Sequence, residues 1–118
     1  MKLNYITFMA RDIEKTIEFY TKIAELKIVR RFNPGAGEIV FLANSEDETS
    51  LEFIQFENMP AAQTKGMTIS FKAYKSLDEL REIVISLGYN PSEIINESPK
   101  PEHFKVLDPN NIEVEFSL

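Results

Sequence analysis

Two stretches of this chain, 63 residues apart, carry the same order of side-chain types, and that repeat constrains the fold more than any other feature. Tyr5-Ile-Thr-Phe-Met-Ala10 returns as Thr68-Ile-Ser-Phe-Lys-Ala73, with isoleucine, a hydroxyl residue, phenylalanine and alanine in matching places. The same step takes Leu51-Glu-Phe53 to Val114-Glu-Phe116, Phe41 to Phe104 and Glu25 to Gly88. One such match is chance. Several in phase imply two structural modules related by internal pseudo-symmetry.

Each copy starts as a strand that turns directly into a helix. A first strand over about Lys2 to Ala10 leads to Asp12, a suitable N-cap for a helix from Ile13 to about Glu25. Leu26 to Phe32 reads as a strand, Asn33-Pro-Gly-Ala-Gly37 as a turn, and Glu38 to Ala43 and Leu51 to Phe56 as two more strands. Residues 58–65, which include Met59-Pro60, form the linker between a first module of about 1–57 and a second of about 66–118. The pattern then restarts with a strand over Gly66 to Ala73. Ser76-Leu-Asp-Glu79 is a capping box that opens a helix, and Gly88 stops it. Pro91, Pro99 and Pro101 leave room only for a short edge strand before a strand over His103 to Leu107. Asp108-Pro-Asn-Asn111 is a turn, and Ile112 to Phe116 is the last strand. The expected fold class is α+β, a βαβββ unit written twice in a single domain spanning residues 1–118.

At 118 residues, such a chain buries roughly two-thirds of its unfolded surface. A hydrophobic content of 43%, with nine Phe, supplies a packed core and argues against disorder. The absence of cysteine excludes disulfides, thiolate metal sites and a Cys nucleophile. A net charge of −6 argues against a nucleic-acid partner, whose phosphates need a basic face. The N-terminus lacks the apolar run of a signal peptide, and no run is long enough for a membrane span. A cytoplasmic protein with no membrane partner is expected.

Side chains alternate across a strand, so each strand gives one face to its helix and one away from it. The bulky sets Ile6 and Phe8, Met67, Ile69 and Phe71, Leu51 and Phe53, and Val114 and Phe116 take the helix side. The helix-free face then holds Tyr5, Thr7, Glu52, Thr68, Ser70, Lys72, Glu113 and Glu115. Concave sheets with this lining make a partly polar cavity, the expected binding site for a small-molecule ligand. Met9, Ile54, Phe56 and Met59 either wall such a site or pack in a core or dimer contact.

Asp12-Ile-Glu-Lys-Thr-Ile-Glu-Phe-Tyr20, Leu51-Glu-Phe-Ile54 and Asp108-Pro-Asn-Asn111 with Glu115 resemble the vicinal oxygen chelate superfamily. That superfamily includes glyoxalase I, bleomycin-resistance proteins, fosfomycin-resistance enzymes and extradiol dioxygenases, and the resemblance runs over essentially the whole chain. It implies two βαβββ modules that form a cupped sheet around a cavity, in a homodimer. It also implies a metal site of two His and two carboxylates. The His positions fall here at Tyr5 and Thr68, while the carboxylates are kept as Glu52 and Glu115.

That substitution weakens the metal reading on chemical grounds. Zn and Ni favour imidazole beside carboxylate, and neutral hydroxyls replace it poorly. Two carboxylates alone would hold Mg or Mn only weakly, so no cofactor is expected beyond a loosely bound divalent ion. Glyoxalase I chemistry, which polarises its substrate through the ion, weakens with the metal. If Glu52 and Glu115 converge, one has a raised pKa and serves as general acid or base; otherwise both are solvated carboxylates. Lys72 either neutralises that pair or is an ordinary exposed strand lysine. Tyr5 and Thr68 are expected to contact ligand and not metal. The only histidine, His103, reads as a surface or strand-end residue, with a ligand contact as the alternative. The favoured function is metal-free binding of a small organic molecule. The next is a lyase, isomerase or epimerase, or dioxygenase using Glu52 and Glu115. The third is a non-catalytic dimeric interaction module.

Overall fold

A computed structural model describes all 118 residues. The elements run β1 Tyr5–Met9, α1 Ile13–Lys22, β2 Lys27–Phe32, β3 Gly37–Ala43, β4 Ser50–Phe56, β5 Thr68–Lys72, α2 Leu77–Ser86, β6 His103–Leu107 and β7 Glu113–Ser117. Two compact units divide the chain, Met1–Ala62 and Gln63–Leu118. No helix is long and apolar enough to cross a membrane.

The first unit is a four-stranded sheet in the order β1-β4-β3-β2, with β1 and β4 parallel and the rest antiparallel. The Asp12 side chain accepts the Lys15 N–H at 3.1 Å, satisfying one of the donors that the start of α1 leaves without a partner. The apolar stripe of α1 then buries Ile13, Ile17, Phe19 and Tyr20. Phe53, fully buried, stacks on Phe8 at 5.5 Å and meets the Tyr20 ring at 5.1 Å. Each buried aromatic of this kind contributes roughly 1.5–3 kcal/mol relative to exposure.

The second unit repeats this arrangement with three strands in the order β5-β7-β6. Ser76 Oγ accepts from the Glu79 N–H at 3.2 Å, one half of the expected capping box. Phe116 takes the place of Phe53, with Phe71 at 5.8 Å and Phe104 at 5.4 Å. The short edge strand expected between α2 and β6 is a single bridge, Ile95 to His103. Both amides of that bridge bond the opposite carbonyl, at 2.7 and 3.1 Å.

The 63-residue step holds in part at the level of backbone and face. Glu25 (φ 54°) and Gly88 (φ 93°) both adopt the left-handed conformation just past their helices, so that correspondence is one of conformation. The match of Phe41 with Phe104 is a coincidence of spacing. Phe41 pairs with Glu52 on the helix-free face, whereas Phe104 pairs with Phe116 in the core. The cause is the hairpin loop, which spans residues 44–49 in the first unit and only 108–112 in the second. A loop one residue shorter shifts the partner strand by one, and a shift of one reverses every side chain. The structural counterpart of Phe41 is therefore Lys105, which pairs with Glu115.

Candidate functional site

On the helix-free face of the first unit, register places Thr7 beside Glu52 and Met9 beside Ile54, with Phe41 and Ile39 on the next strand. The Thr7 hydroxyl donates to Glu52 Oε1. Tyr5 sits edge-on to Phe41 at 5.3 Å and is half exposed, and the Arg30 guanidinium lies 4.6 Å over the Phe32 ring. Most of this face is aromatic and aliphatic, with one carboxylate at its centre.

The equivalent face of the second unit is built from charge. Ser70 Oγ donates to Glu115 Oε1 at 2.7 Å, which repeats the Thr7–Glu52 pair one module later. Thr68 Oγ1 donates to Glu113 Oε1 at 2.7 Å, and Lys105 Nζ reaches the same Glu113 oxygen at 3.1 Å. Glu115 is only 5% exposed and also accepts from the Lys100 ammonium, while His103 Nε2 lies 3.8 Å from its Oε2. His103 is itself buried, with Nδ1 2.9 Å from the Pro101 carbonyl.

These contacts govern the titration of both carboxyls. Burial pushes Glu115 up, but hydrogen bonds from Lys100 and Ser70 and the charges of Lys100 and His103 outweigh it. The Glu115 carboxyl is held below its ordinary value. Glu113 is also lowered, first by the Thr68 hydroxyl and then by Lys105.

One sequence expectation changes here, and the choice between two readings of Lys72 falls to the exposed strand lysine. His103 is buried in the Glu115 cluster and is not a surface residue, because the Ile95 bridge covers the start of β6. Lys72 lies beside Ser117 and forms no ion pair; the lysines that neutralise the carboxylates are Lys100 and Lys105. Sequence reasoning passed over Lys100 altogether. Its only local sign was a cation between Pro99 and Pro101 just ahead of a strand.

Within each unit taken by itself, the residues present do not fit a resident transition-metal ion. Within neither unit does a group of three or more His, Asp or Glu side chains converge. Thr68 is committed to Glu113, and both Glu115 oxygens are taken, one of them by an ammonium that sits where a cation would bind. An ammonium and a divalent ion compete for the same lone pairs, so the ion would first have to displace Lys100.

Each unit also carries a hollow. An open one of about 480 Å³ in the first unit is lined by Arg11, Gly37, Glu38, Gln55, Phe56 and Met59, among others, and takes in neither Thr7 nor Glu52. Its size reflects an open strand end and not the polar pair, so the hydrogen-bonded face is the better guide to a site. A smaller one of about 290 Å³ in the second unit is lined by Ser92, Lys105, Leu107 and Glu113, among others, and includes part of the charged cluster.

Solved structures share the fold at low identity. Glyoxalase I of Leishmania major is 18% identical with a TM-score of 0.80, the match covering 99% of this chain and 86% of that one. TnmS3, an antibiotic binding protein from Streptomyces sp. CB03234, is 17% identical at 0.75, covering 99% and 94%. The fosfomycin resistance protein FosX from Mesorhizobium loti is 19% identical at 0.75, covering 98% and 89%. No curated protein sequence matches this one. A family model, by contrast, matches residues 2–116, nearly the whole of the doubled strand–helix pattern, and the chain therefore belongs to the Glyoxalase/Bleomycin resistance protein/Dioxygenase superfamily.

Proposed function

We propose that this chain binds a small organic molecule on the helix-free faces of its sheets, without the two-His metal site of its metal-dependent relatives. One observation carries the reading. Glu115, the carboxylate kept from the metal-binding pattern, is already satisfied by Ser70 and Lys100 with His103 nearby. Buried polar groups that are fully partnered form a rigid, preorganised surface, which suits recognition. On the face of the first unit, Tyr5 and Phe41 supply apolar contact area beside the Thr7 hydroxyl; on that of the second, Thr68 and Ser70 supply hydroxyls. That a structural relative is an antibiotic binding protein supports the same class of function.

Ligand-observed NMR with a panel of aromatic and aliphatic small molecules tests the proposal. Saturable binding that weakens in Tyr5→Ala or Ser70→Ala is the expected result. A panel with no saturable binder sinks it. Homodimerisation and a cytoplasmic location belong to the same proposal, and light scattering on the purified chain checks the first.

A second reading draws on the 3.8 Å approach of His103 to Glu115, a spacing from which a proton could be passed once a ligand closes the gap. It makes the chain a carboxylate-based lyase or isomerase. Glu115→Gln abolishes any turnover on this reading, and unchanged turnover rejects it.

A further inference from the structure

We infer that Lys100 is a built-in cation of the Glu115 site and that its ammonium is the contact for an anionic oxygen of the ligand. This rests on the small-molecule reading above and names the ligand class it implies.

A carboxylate buried to this degree must be paired, because an isolated ion loses far more hydration than packing returns. Within the second unit the pairing charge comes from outside the sheet. The loop 96–102 is closed by the reciprocal Ile95–His103 hydrogen bonds, and Lys100 N donates to the Glu97 carbonyl at 3.2 Å within it. Pinned at its base, the loop delivers Lys100 Nζ to Glu115. The first unit has no such device, since Glu52 has its hydroxyl partner Thr7 but no ion pair. The two pseudo-equivalent carboxylates therefore differ in charge pairing.

What the site then offers a ligand is positive. Both Glu115 oxygens are occupied, whereas the Lys100 side chain remains 54% exposed. An ammonium has three donors, and one is spent on Glu115. The face around it carries Lys72, Lys100 and Lys105 against Glu113 and Glu115, and Lys72 has no carboxylate partner. A surplus cation on one face of a chain whose net charge is −6 selects against the background field of the protein. The chemistry that matches it is a small organic anion, its carboxylate or phenolate oxygen received by Lys100 and its body lying along the hydroxyls of β5.

The test compares benzoate with benzamide, which share shape and differ in charge, in amide-resolved NMR titrations of the full chain. In the wild type, benzoate should shift Ser70, Lys100, His103 and Glu115 saturably and bind about tenfold more tightly than benzamide. Lys100→Gln should remove that preference and Lys100→Arg should keep it. Zinc chloride should leave the wild-type Glu115 signals unchanged. Equal affinity for the two probes, a preference that survives Lys100→Gln, or zinc binding at Glu115 overturns the inference. Saturable but equal binding leaves the small-molecule reading standing and removes only this one. Failure of both probes overturns this inference, and failure of the wider panel as well removes both. If Lys100→Gln does not fold, the wild-type probe pair and Lys100→Arg still decide.

Discussion

Glu115→Gln keeps the shape of a buried side chain and removes its charge, so its effect separates the electrostatics of the site from its packing. The wild-type carboxylate accepts from Ser70 at 2.7 Å and from the Lys100 ammonium. A hydrogen bond to a charged group contributes about 1.5–3 kcal/mol and a neutral one about 1 kcal/mol. The amide still offers Ser70 an acceptor, and Lys100, half exposed, can be solvated by water. Each bond should therefore weaken by about 1 kcal/mol once solvent screening is discounted, a loss of roughly 2 kcal/mol near neutral pH. The pH dependence is the sharper signature. A carboxyl whose folded pKa is lowered adds stability above its unfolded pKa of about 4.3 and loses it as the pH falls through the folded value. Acidification should remove the wild-type advantage and leave the Gln variant with no corresponding loss at this site. The Glu113 carboxyl, also lowered by Thr68 and Lys105, titrates in both proteins, and loss of the Glu115 charge lowers it further in the Gln variant. Urea unfolding followed by circular dichroism at about pH 7 and about pH 3 measures both differences. A gap of equal size at the two pH values, or a Gln variant more stable at neutrality, refutes the reasoning.

Other positions give independent checks. Phe53→Ala and Phe116→Ala each remove the buried aromatic at the centre of a unit and should cost about 3–5 kcal/mol in chemical unfolding. A much smaller loss at either site means that its core is not closed around that ring. Glu25, a non-glycine residue at φ 54°, should become more favourable by about 0.5–1 kcal/mol as Glu25→Gly, while Gly88→Ala at φ 93° should lower stability by about 1 kcal/mol. Thermal melts read both signs. Gly37→Ala would place a Cβ 2.1 Å from the Gln55 carbonyl oxygen at φ 146°, so the β3–β4 ladder must distort. A loss of about 2 kcal/mol or more is expected, and a neutral effect would show that the strands are not packed as described.

Much of the architecture is local and could be read along the chain. The strand–helix starts at Tyr5 and Thr68 follow from alternation and from the caps Asp12 and Ser76, which act within one turn of their own helices. The hydroxyl–carboxylate pairs Thr7–Glu52 and Ser70–Glu115 were also implicit, because parallel partners share a face and the repeat placed both pairs in phase. Phe41 and Phe104 were misread as equivalents because hairpin loops of unequal length change register without leaving a mark in the strands they join. Periodicity says which residues share a face, but not where a loop carries a side chain. The sequence by itself determined the doubled module and the candidate carboxylates. Only the tertiary structure decided that Lys100 and not Lys72 neutralises Glu115, and that His103 is buried beside it. A buried charge is satisfied by whatever lies within a few ångströms in space, and the 96–102 loop brings in a residue 15 positions away that no strand or helix period connects to it.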